Sequence, residues 1–397
     1  MDRIKDERVK RIIIIIILAI ALINGLRCII DEQLGIRLIS KYTGDTNGNK
    51  YSYVDYENNK FLYATSNGIK TFPFVFGDSV YEYSIDEEKD SLLYMQKVPG
   101  EIVQDRVHYG EKSVILLSEY GIHEASPSTA RILTDDGKLS TIEQLSNVWL
   151  LKVIGNNIYY SDRIVELDAN DGSESNMILG VYNSVKNEKN DEIYKSKDNW
   201  LRYENITAND KYMYILDYYD DGSGDAVRID LNTYEKKYYK AKKNERFCSV
   251  CLVDDTTAIL CASKESKKET MLKLYLYNES FPDGKLLNTV NHDKSVSYSS
   301  GGGVNWGDSM TFKDGELFFS DIYGNIWRMN AETGKLYKII EKETIFDNHC
   351  NDECISDNLL NFTKDYIIAD VYTKRDNRVF LFFDYKGNLK DKKRVSL

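Results

Sequence analysis

The sequence predicts an all-β fold: a β-propeller, most simply of seven four-stranded blades, preceded by one N-terminal transmembrane helix. Two observations predict the propeller. A polar turn followed by a short apolar strand returns about every 50 residues, and 30 tyrosines with only 4 prolines favour pleated sheet. The helix is predicted by a basic flank and an apolar run within residues 1–30.

The N-terminal segment has the charge pattern of an exported protein held at the cell membrane. Residues 1–11 carry five basic side chains, residues 12–30 are apolar except for Asn24 and Arg27, and two acids follow. This order predicts a cytoplasmic flank over residues 1–11, a single-pass signal anchor over residues 12–30 and a propeller outside the membrane. A cleaved signal peptide is the alternative, because Ala19-Ile20-Ala21 is formally a small-x-small cleavage site. Residues 31–49 are expected to be a spacer.

Residues 50–397 are predicted to contain seven copies of one unit. The turns that precede the second strand of each copy start near residues 58, 110, 155, 209, 254, 313 and 364, so the steps are 52, 45, 54, 45, 59 and 51 residues. We expect the first strands, near Val148, Val250 and Asn361, to surround a central channel. The fourth strands, near Tyr239 and Tyr337, should lie on the outside. A β-sandwich is the alternative, but a sandwich does not require the same aromatic-Ser-Asp turn to recur at the same position of each unit.

Two copies carry this turn most clearly. Residues 158–162 are IYYSD and are followed, after Arg163, by IVELDANDG, and residues 317–334 are LFFSDIYGNIWRMNAETG. These segments resemble the aromatic-aromatic-hydroxyl-Asp repeats of YWTD-type (LDL-receptor-type) propellers. More closely, they resemble bacterial membrane-tethered or secreted TolB-like propellers of unassigned function. The resemblance covers residues 50–397 and is strong in copies three and six, whereas copies two and five have ILLSE and ILCAS instead. It implies a fold and a location and no chemistry.

Charge and motifs narrow the function classes. A net charge of -11 makes a nucleic-acid partner unexpected, and the basic run from Lys240 to Arg246 is interpreted as a solvated turn. The sequence contains no G-x-S-x-G, P-loop or H-E-x-x-H motif. The prediction is therefore a non-catalytic binding module with a protein or glycan ligand. The alternatives are an envelope enzyme, a hydrolase or lyase acting on a glycan, peptide or lactone, and the ectodomain of a receptor or sensor complex.

The predicted binding surface combines the longest link of the array with an acidic loop. The step into copy six is 59 residues, and insertions in repeat arrays collect on the binding face. Aromatic side chains give rigid contact area, and carboxylates give polar contacts. The candidate residues are Tyr298, Trp306 and Asp308 on the link and Asp217, Asp221 and Asp225 on the loop.

Metal sites are considered and no cofactor is predicted. The loops 45–49, 168–171 and 217–225 offer oxygen ligands suited to calcium, but each lacks the full pattern of a calcium loop, so calcium stays an alternative. Cys248, Cys251, Cys350 and Cys354 with His349 have zinc-like spacing. We expect Cys248 and Cys251 to point to opposite faces of a strand, which disfavours zinc. Free thiols are expected, with a Cys350–Cys354 disulfide as an alternative.

Overall fold

The chain is nearly all β. A computed structural model describes residues 13–22, 53–55, 58–66, 78–95, 101–102, 107–109, 113–120, 128–134, 139–146, 148–168, 172–196, 206–218, 224–265, 269–293, 310–321, 324–341, 354–373 and 377–396. Residues 13–22 form one helix. No helix within these ranges is both long and apolar enough to cross a membrane. The anchor predicted over residues 12–30 extends beyond the described helix at both ends, so it stays a prediction.

The strands group in chain order into seven units, and every described pairing inside a unit is antiparallel. Unit one contains β1 Tyr53–Asp55, β2 Lys60–Ser66, β3 Asp78–Ser84 and β4 Lys89–Met95. Unit two contains β5 Glu101–Ile102, β6 Val107–Tyr109, β7 Ser113–Tyr120, β8 Ser128–Thr134 and β9 Leu139–Ser146, with β5 and β6 both paired to β7. Unit three contains β10 Trp149–Ile154, β11 Asn157–Asp168, β12 Gly172–Asn183 and β13 Glu188–Lys195.

Units four and five share one eight-stranded sheet, because a parallel bridge joins Gly224 to Arg246. Unit four contains β14 Ile206–Ala208, β15 Tyr212–Tyr218, β16 Gly224–Asp230 and β17 Lys236–Tyr239. Unit five contains β18 Arg246–Leu252, β19 Ala258–Glu265, β20 Glu269–Tyr277 and β21 Lys285–Asp293. Unit six contains β22 Met310–Lys313, β23 Glu316–Ser320, β24 Ile326–Asn330 and β25 Leu336–Ile340. Unit seven contains β26 Cys354–Phe362, β27 Tyr366–Thr373, β28 Asn377–Asp384 and β29 Leu389–Ser396.

The units follow one another in a circle of contacts between their early strands. β1 lies against β6, β6 against β10, β10 against β14, β14 against β18, and β18 against β22. β23 then lies against β26, and β26 returns to β1. Val250 and Asn361 lie on first strands and Val148 directly precedes β10, the first strand of unit three. Tyr239 and Tyr337 lie on fourth strands, as predicted from the repeat.

The core lies between neighbouring units, which explains the adjacent aromatic residues of the repeat. Successive strand residues point to opposite faces of a sheet. Phe319 packs with unit five and Phe318 with unit seven. Likewise Tyr160 packs with unit two and Tyr159 with unit four. Because both faces of the sheet are covered, both positions of each pair are apolar, and all four rings are at most 2% exposed.

Units seven and one meet at a seam that no described strand crosses. On the apolar side, the Phe61 ring centroid lies 4.8 Å from Phe380 and 5.5 Å from Phe382. On the polar side, Asn59 Nδ2 donates to Asp365 Oδ2 at 2.9 Å, and Lys393 Nζ pairs with a carboxylate oxygen of Asp90. The seam is therefore closed by side chains, in contrast to the continuous sheet of units four and five.

Candidate functional site

One face of the circle holds the strand ends that flank the longer connections; we call it the linking face. Each unit is a meander of antiparallel strands. The second and fourth strands of a unit therefore end at this face, and the first strand of the next unit begins there. β21 ends at Asp293 and β22 begins at Met310, with residues 294–309 between them. At the opposite face the connections between strands are two to seven residues long; residues 314–315, for example, join β22 to β23. Asp314 and Gly315 have φ of 51° and 80°, which suits a two-residue hairpin turn.

Asp217, a predicted binding residue, lies at the linking face with its carboxylate buried. Tyr194 OH donates to its Oδ2 at 2.6 Å and Ser196 Oγ donates to its Oδ1 at 2.5 Å. Tyr194 belongs to β13, and Ser196 follows that strand, whereas Asp217 belongs to β15. Asp217 is 2% exposed. Its carboxylate therefore ties unit three to unit four.

Asp225 lies directly opposite Asp217 in the pairing of β15 with β16. It is partly buried, and its Oδ1 accepts a hydrogen bond from the backbone N–H of Ala241 at 3.2 Å. Like charges at opposite positions of a strand pair destabilise a sheet unless each has partners. Both carboxylates have such partners, so the two ends of the acidic loop are held by the fold.

The other four predicted site residues, Tyr298, Trp306, Asp308 and Asp221, lie outside the described residues. The structure therefore brings together Asp217 and Asp225 only, and the binding surface as a whole stays a prediction.

Asp321, in the motif of unit six, occupies the position equivalent to Asp217. Its Oδ1 accepts from the Asn325 backbone N–H at 3.0 Å, and its Oδ2 accepts from Asn325 Nδ2 at 2.8 Å and Trp327 Nε1 at 2.7 Å. Asp321 is 1% exposed. Three donors satisfy the carboxylate, so this Asp fastens the β23–β24 turn. Asp217 and Asp321 therefore both hold the fold together at the linking face.

Glu245 forms a buried ionic cluster between units four and five that the sequence did not indicate. It precedes β18 and is 5% exposed, within the basic run interpreted as a solvated turn. Lys273 Nζ donates to its Oε1 at 2.5 Å, and Tyr275 OH donates to its Oε2 at 3.0 Å. Lys242 Nζ lies 4.4 Å from the Tyr275 ring centroid. The solvated interpretation is therefore wrong for Glu245. The alternation of Lys273 and Tyr275 along β20 was the available signal for a partly polar face.

Burial, followed by the hydrogen bond to Glu245, raises the pKa of Tyr275. The phenol therefore stays protonated and acts as a donor at neutral pH. The paired ammonium of Lys273 compensates the buried charge, which would otherwise be costly. The cluster is fully engaged in joining two units.

The cysteines of unit five correct one prediction. Cys248 and Cys251 share one face of the sheet, because both pack in the cluster between units five and six. A bulge in the β18–β19 pairing, between Phe247 and Ser249, shifts the alternation by one residue. The expectation of opposite faces is wrong for that reason. Cys248, Cys251 and Cys261 are buried and form no disulfide in this structure.

Metal binding stays open where the predicted ligands are not described. Within the described ranges, no group of three or more His, Cys, Asp or Glu side chains could hold a metal ion. Asp221, His349 and Cys350 lie beyond those ranges. The calcium and zinc alternatives and the Cys350–Cys354 disulfide therefore remain predictions.

Comparison with known proteins shows the fold. No protein-family model matches the chain, and no curated protein matches it. Among solved structures, the β-propeller domain of the Trilobed protease from Pyrococcus furiosus is similar at 10% identity, with a TM-score of 0.51, over 88% of this chain and 99% of that one. An acylaminoacyl peptidase from Pyrococcus horikoshii is similar at 10% identity and a TM-score of 0.51, over 86% of this chain and 52% of that one.

A puromycin hydrolase is similar at 7% identity and a TM-score of 0.50, over 84% of this chain and 52% of that one. This chain thus spans about half the length of either enzyme. Likeness at such low identity shows the β-propeller fold alone. The YWTD-type resemblance and the membrane tether stay predictions.

Proposed function

We propose that the chain is a seven-bladed β-propeller that binds a partner at its linking face, catalyses nothing and is held outside the cell membrane by its N-terminal segment. Each of the seven units contributes one blade. The support for this count is the circle of strand contacts, which passes through every unit once and returns to β1. The shared sheet of units four and five counts as two blades, because a single parallel bridge joins them.

The observation that carries the binding function is the difference between the two faces. The longest connections, including residues 294–309, join strand ends at the linking face, whereas the connections at the opposite face are at most seven residues long. Loops on a rigid scaffold are where binding residues concentrate. The buried carboxylates at the linking face, Asp217, Glu245 and Asp321, are already bonded within the fold. Recognition is therefore assigned to the connections, with these carboxylates as their supports.

Within this surface, Tyr298, Trp306 and Asp308 are the proposed contact residues, with Asp221 from the acidic loop. Asp217 and Asp225 anchor the two ends of that loop, since each accepts hydrogen bonds from the fold. The partner is a protein or glycan of the cell envelope.

The test replaces Tyr298 and Trp306 together with alanine. Capture of an envelope partner, by crosslinking on intact cells of the source organism followed by purification, should fall while the unfolding midpoint stays close to that of the wild type. The matched control replaces Tyr238 and Tyr337, which are 55% and 37% exposed on fourth strands; this variant should capture normally. Equal capture by both variants would contradict the surface. Turnover of a peptide, glycan or lactone by the purified chain would contradict the non-catalytic function.

The location has its own test. Protease added to cells without an outer barrier should digest the propeller, and the mature chain should begin at or near Met1. A mature N-terminus near Leu22 would replace the anchor with a cleaved signal peptide. Complete protection of the propeller in intact cells would contradict export.

A further inference from the structure

We propose that Cys248 and Cys261 are a dithiol site that is oxidised to a cross-strand disulfide while unit five folds, and that Cys251 beside them stays a thiol. In this structure all three are thiols. The expectation that the bond forms in cells rests on the proposed location outside the membrane, where disulfides persist. The pairing itself rests on the geometry of the β18–β19 hairpin.

The bulge in this hairpin brings the two side chains together. Phe247 is opposite Ala262 and Ser249 is opposite Cys261, so Cys248 is the extra residue between two paired positions. In a bulge, two residues of one strand face a single residue of the other. Cys248 therefore lies next to Cys261 across the strand pair, although the two are 13 residues apart in the chain.

The contacts agree with this placement of the two cysteines. Cys248 Sγ lies 3.4 Å from the carbonyl oxygen of Cys261. The two thiols also hydrogen-bond to each other, and this bond, followed by burial, raises the pKa of Cys261. Cys251 differs: it is opposite Ile259, and its Sγ lies 3.6 Å from the carbonyl oxygen of Leu252. The register thus places Cys248 next to Cys261 and Cys251 opposite Ile259.

Burial determines when the bond can form. Cys248 is 1% exposed and Cys261 is 0% exposed, within a cluster completed by Met310 and Phe319 of unit six. The thiolate is the reactive species, and an apolar site disfavours it. Native protein should therefore resist oxidation. Reaction requires a state in which the hairpin is paired but unit six has not yet covered it.

The chemistry needs an oxidant of the disulfide class, either a small disulfide or an oxidoreductase carrying one. One thiolate attacks that disulfide, giving a mixed disulfide and releasing one thiol of the oxidant. The second thiolate attacks the protein sulfur of the mixed disulfide and releases the other thiol. Two protein thiols lose two protons and two electrons, and the oxidant gains both.

The experiment refolds the full chain from urea with oxidised glutathione, quenches with acid, alkylates in denaturant and maps the peptides by mass spectrometry. We expect a Cys248–Cys261 peptide pair and an alkylated Cys251. Folded protein given the same oxidant should form the disulfide at least about tenfold more slowly than refolding protein. C251S should still form the bond, and C261S should leave Cys248 alkylated.

Alkylation of all three thiols after oxidative refolding would overturn the proposal, as would pairing of Cys251 with either neighbour. Protein taken from cells separates this proposal from the proposed location. If refolding makes the bond but the cellular protein is reduced, the dithiol site stands and its oxidation in cells fails; protease digestion of intact cells then tests the location separately.

Discussion

Removing the Asn59 side chain should weaken the seam between units seven and one. Asn59 is 5% exposed. Its Nδ2 donates to Asp86 Oδ2 at 3.0 Å and to Asp365 Oδ2 at 2.9 Å. Its Oδ1 accepts from the Asp365 backbone N–H at 3.2 Å. One amide therefore joins the turn after β3 to the turn after β26, across a seam without a shared strand.

The expected loss follows from these three bonds. A hydrogen bond contributes about 1 kcal/mol net to the free energy of unfolding. Bonds to buried charged groups contribute more, but the carboxylates of Asp86 and Asp365 are exposed, so the smaller value applies. Asn59→Gly should therefore cost about 3 kcal/mol. Asn59 has φ of 50°, so Asn59→Ala adds left-handed backbone strain of about 1 kcal/mol.

Urea unfolding of both variants measures the loss, and Asn187→Gly is the matched control. Asn187 has φ of 57°, and its Oδ1 accepts from Tyr182 OH at 2.9 Å and Gln144 Nε2 at 3.0 Å. That side chain is exposed, so its replacement should cost about 1 kcal/mol.

Hydrogen exchange locates the effect. Asn59→Gly should raise amide exchange in β1–β4 and β26–β29 more than elsewhere. A loss equal to that of Asn187→Gly, or a uniform rise in exchange, would refute the reasoning.

Three further outcomes are expected. Burial, and next its hydrogen bond to Asp86, raise the pKa of Tyr366 to about 12. Its contribution to stability is thus present below pH about 10 and lost as pH rises towards 12, and Tyr366→Phe should flatten that alkaline loss in urea unfolding. Asp321→Ala should cost about 3–5 kcal/mol, because it leaves two buried donors of Asn325 and the partly buried Trp327 N–H without their acceptor; an unchanged unfolding midpoint would contradict this. Gly180→Ala should lower the free energy of unfolding by about 1–3 kcal/mol, because its Cβ would lie 2.3 Å from the buried Tyr160 ring; an unchanged melting temperature would contradict this.

The sequence predicted the features that depend on local pattern. Alternating apolar strands and turns such as Asp314-Gly315 give the period of the repeat, because strand faces and hairpin turns depend on neighbouring residues. The paired aromatics Phe318 and Phe319 indicate a sheet covered on both faces. These signals predicted the all-β propeller and the order of strands inside a unit.

Features that depend on a distant partner were missed. The common face of Cys248 and Cys251 arises from the register of β18 against β19, and spacing alone cannot show a bulge. Glu245 lies in a basic run, and its burial depends on Lys273 in another strand. The seam depends on contacts such as Asn59 with Asp365, whose positions differ by 306. Contacts between residues so far apart in the chain produce no repeating pattern in a single sequence.

Closure of the chain into a ring is the central claim, and one crosslink tests it most directly. Lys393 Nζ and Asp90 form an ion pair across the seam between residues 303 apart in sequence. A carbodiimide joins only amines and carboxylates already in contact, so the folded protein should yield a Lys393–Asp90 crosslinked peptide that urea abolishes. The Lys60–Glu82 pair inside unit one, at 2.8 Å, is the internal control. Both crosslinks in comparable yield are the predicted result; a Lys60–Glu82 crosslink without the Lys393–Asp90 crosslink would contradict the closed ring.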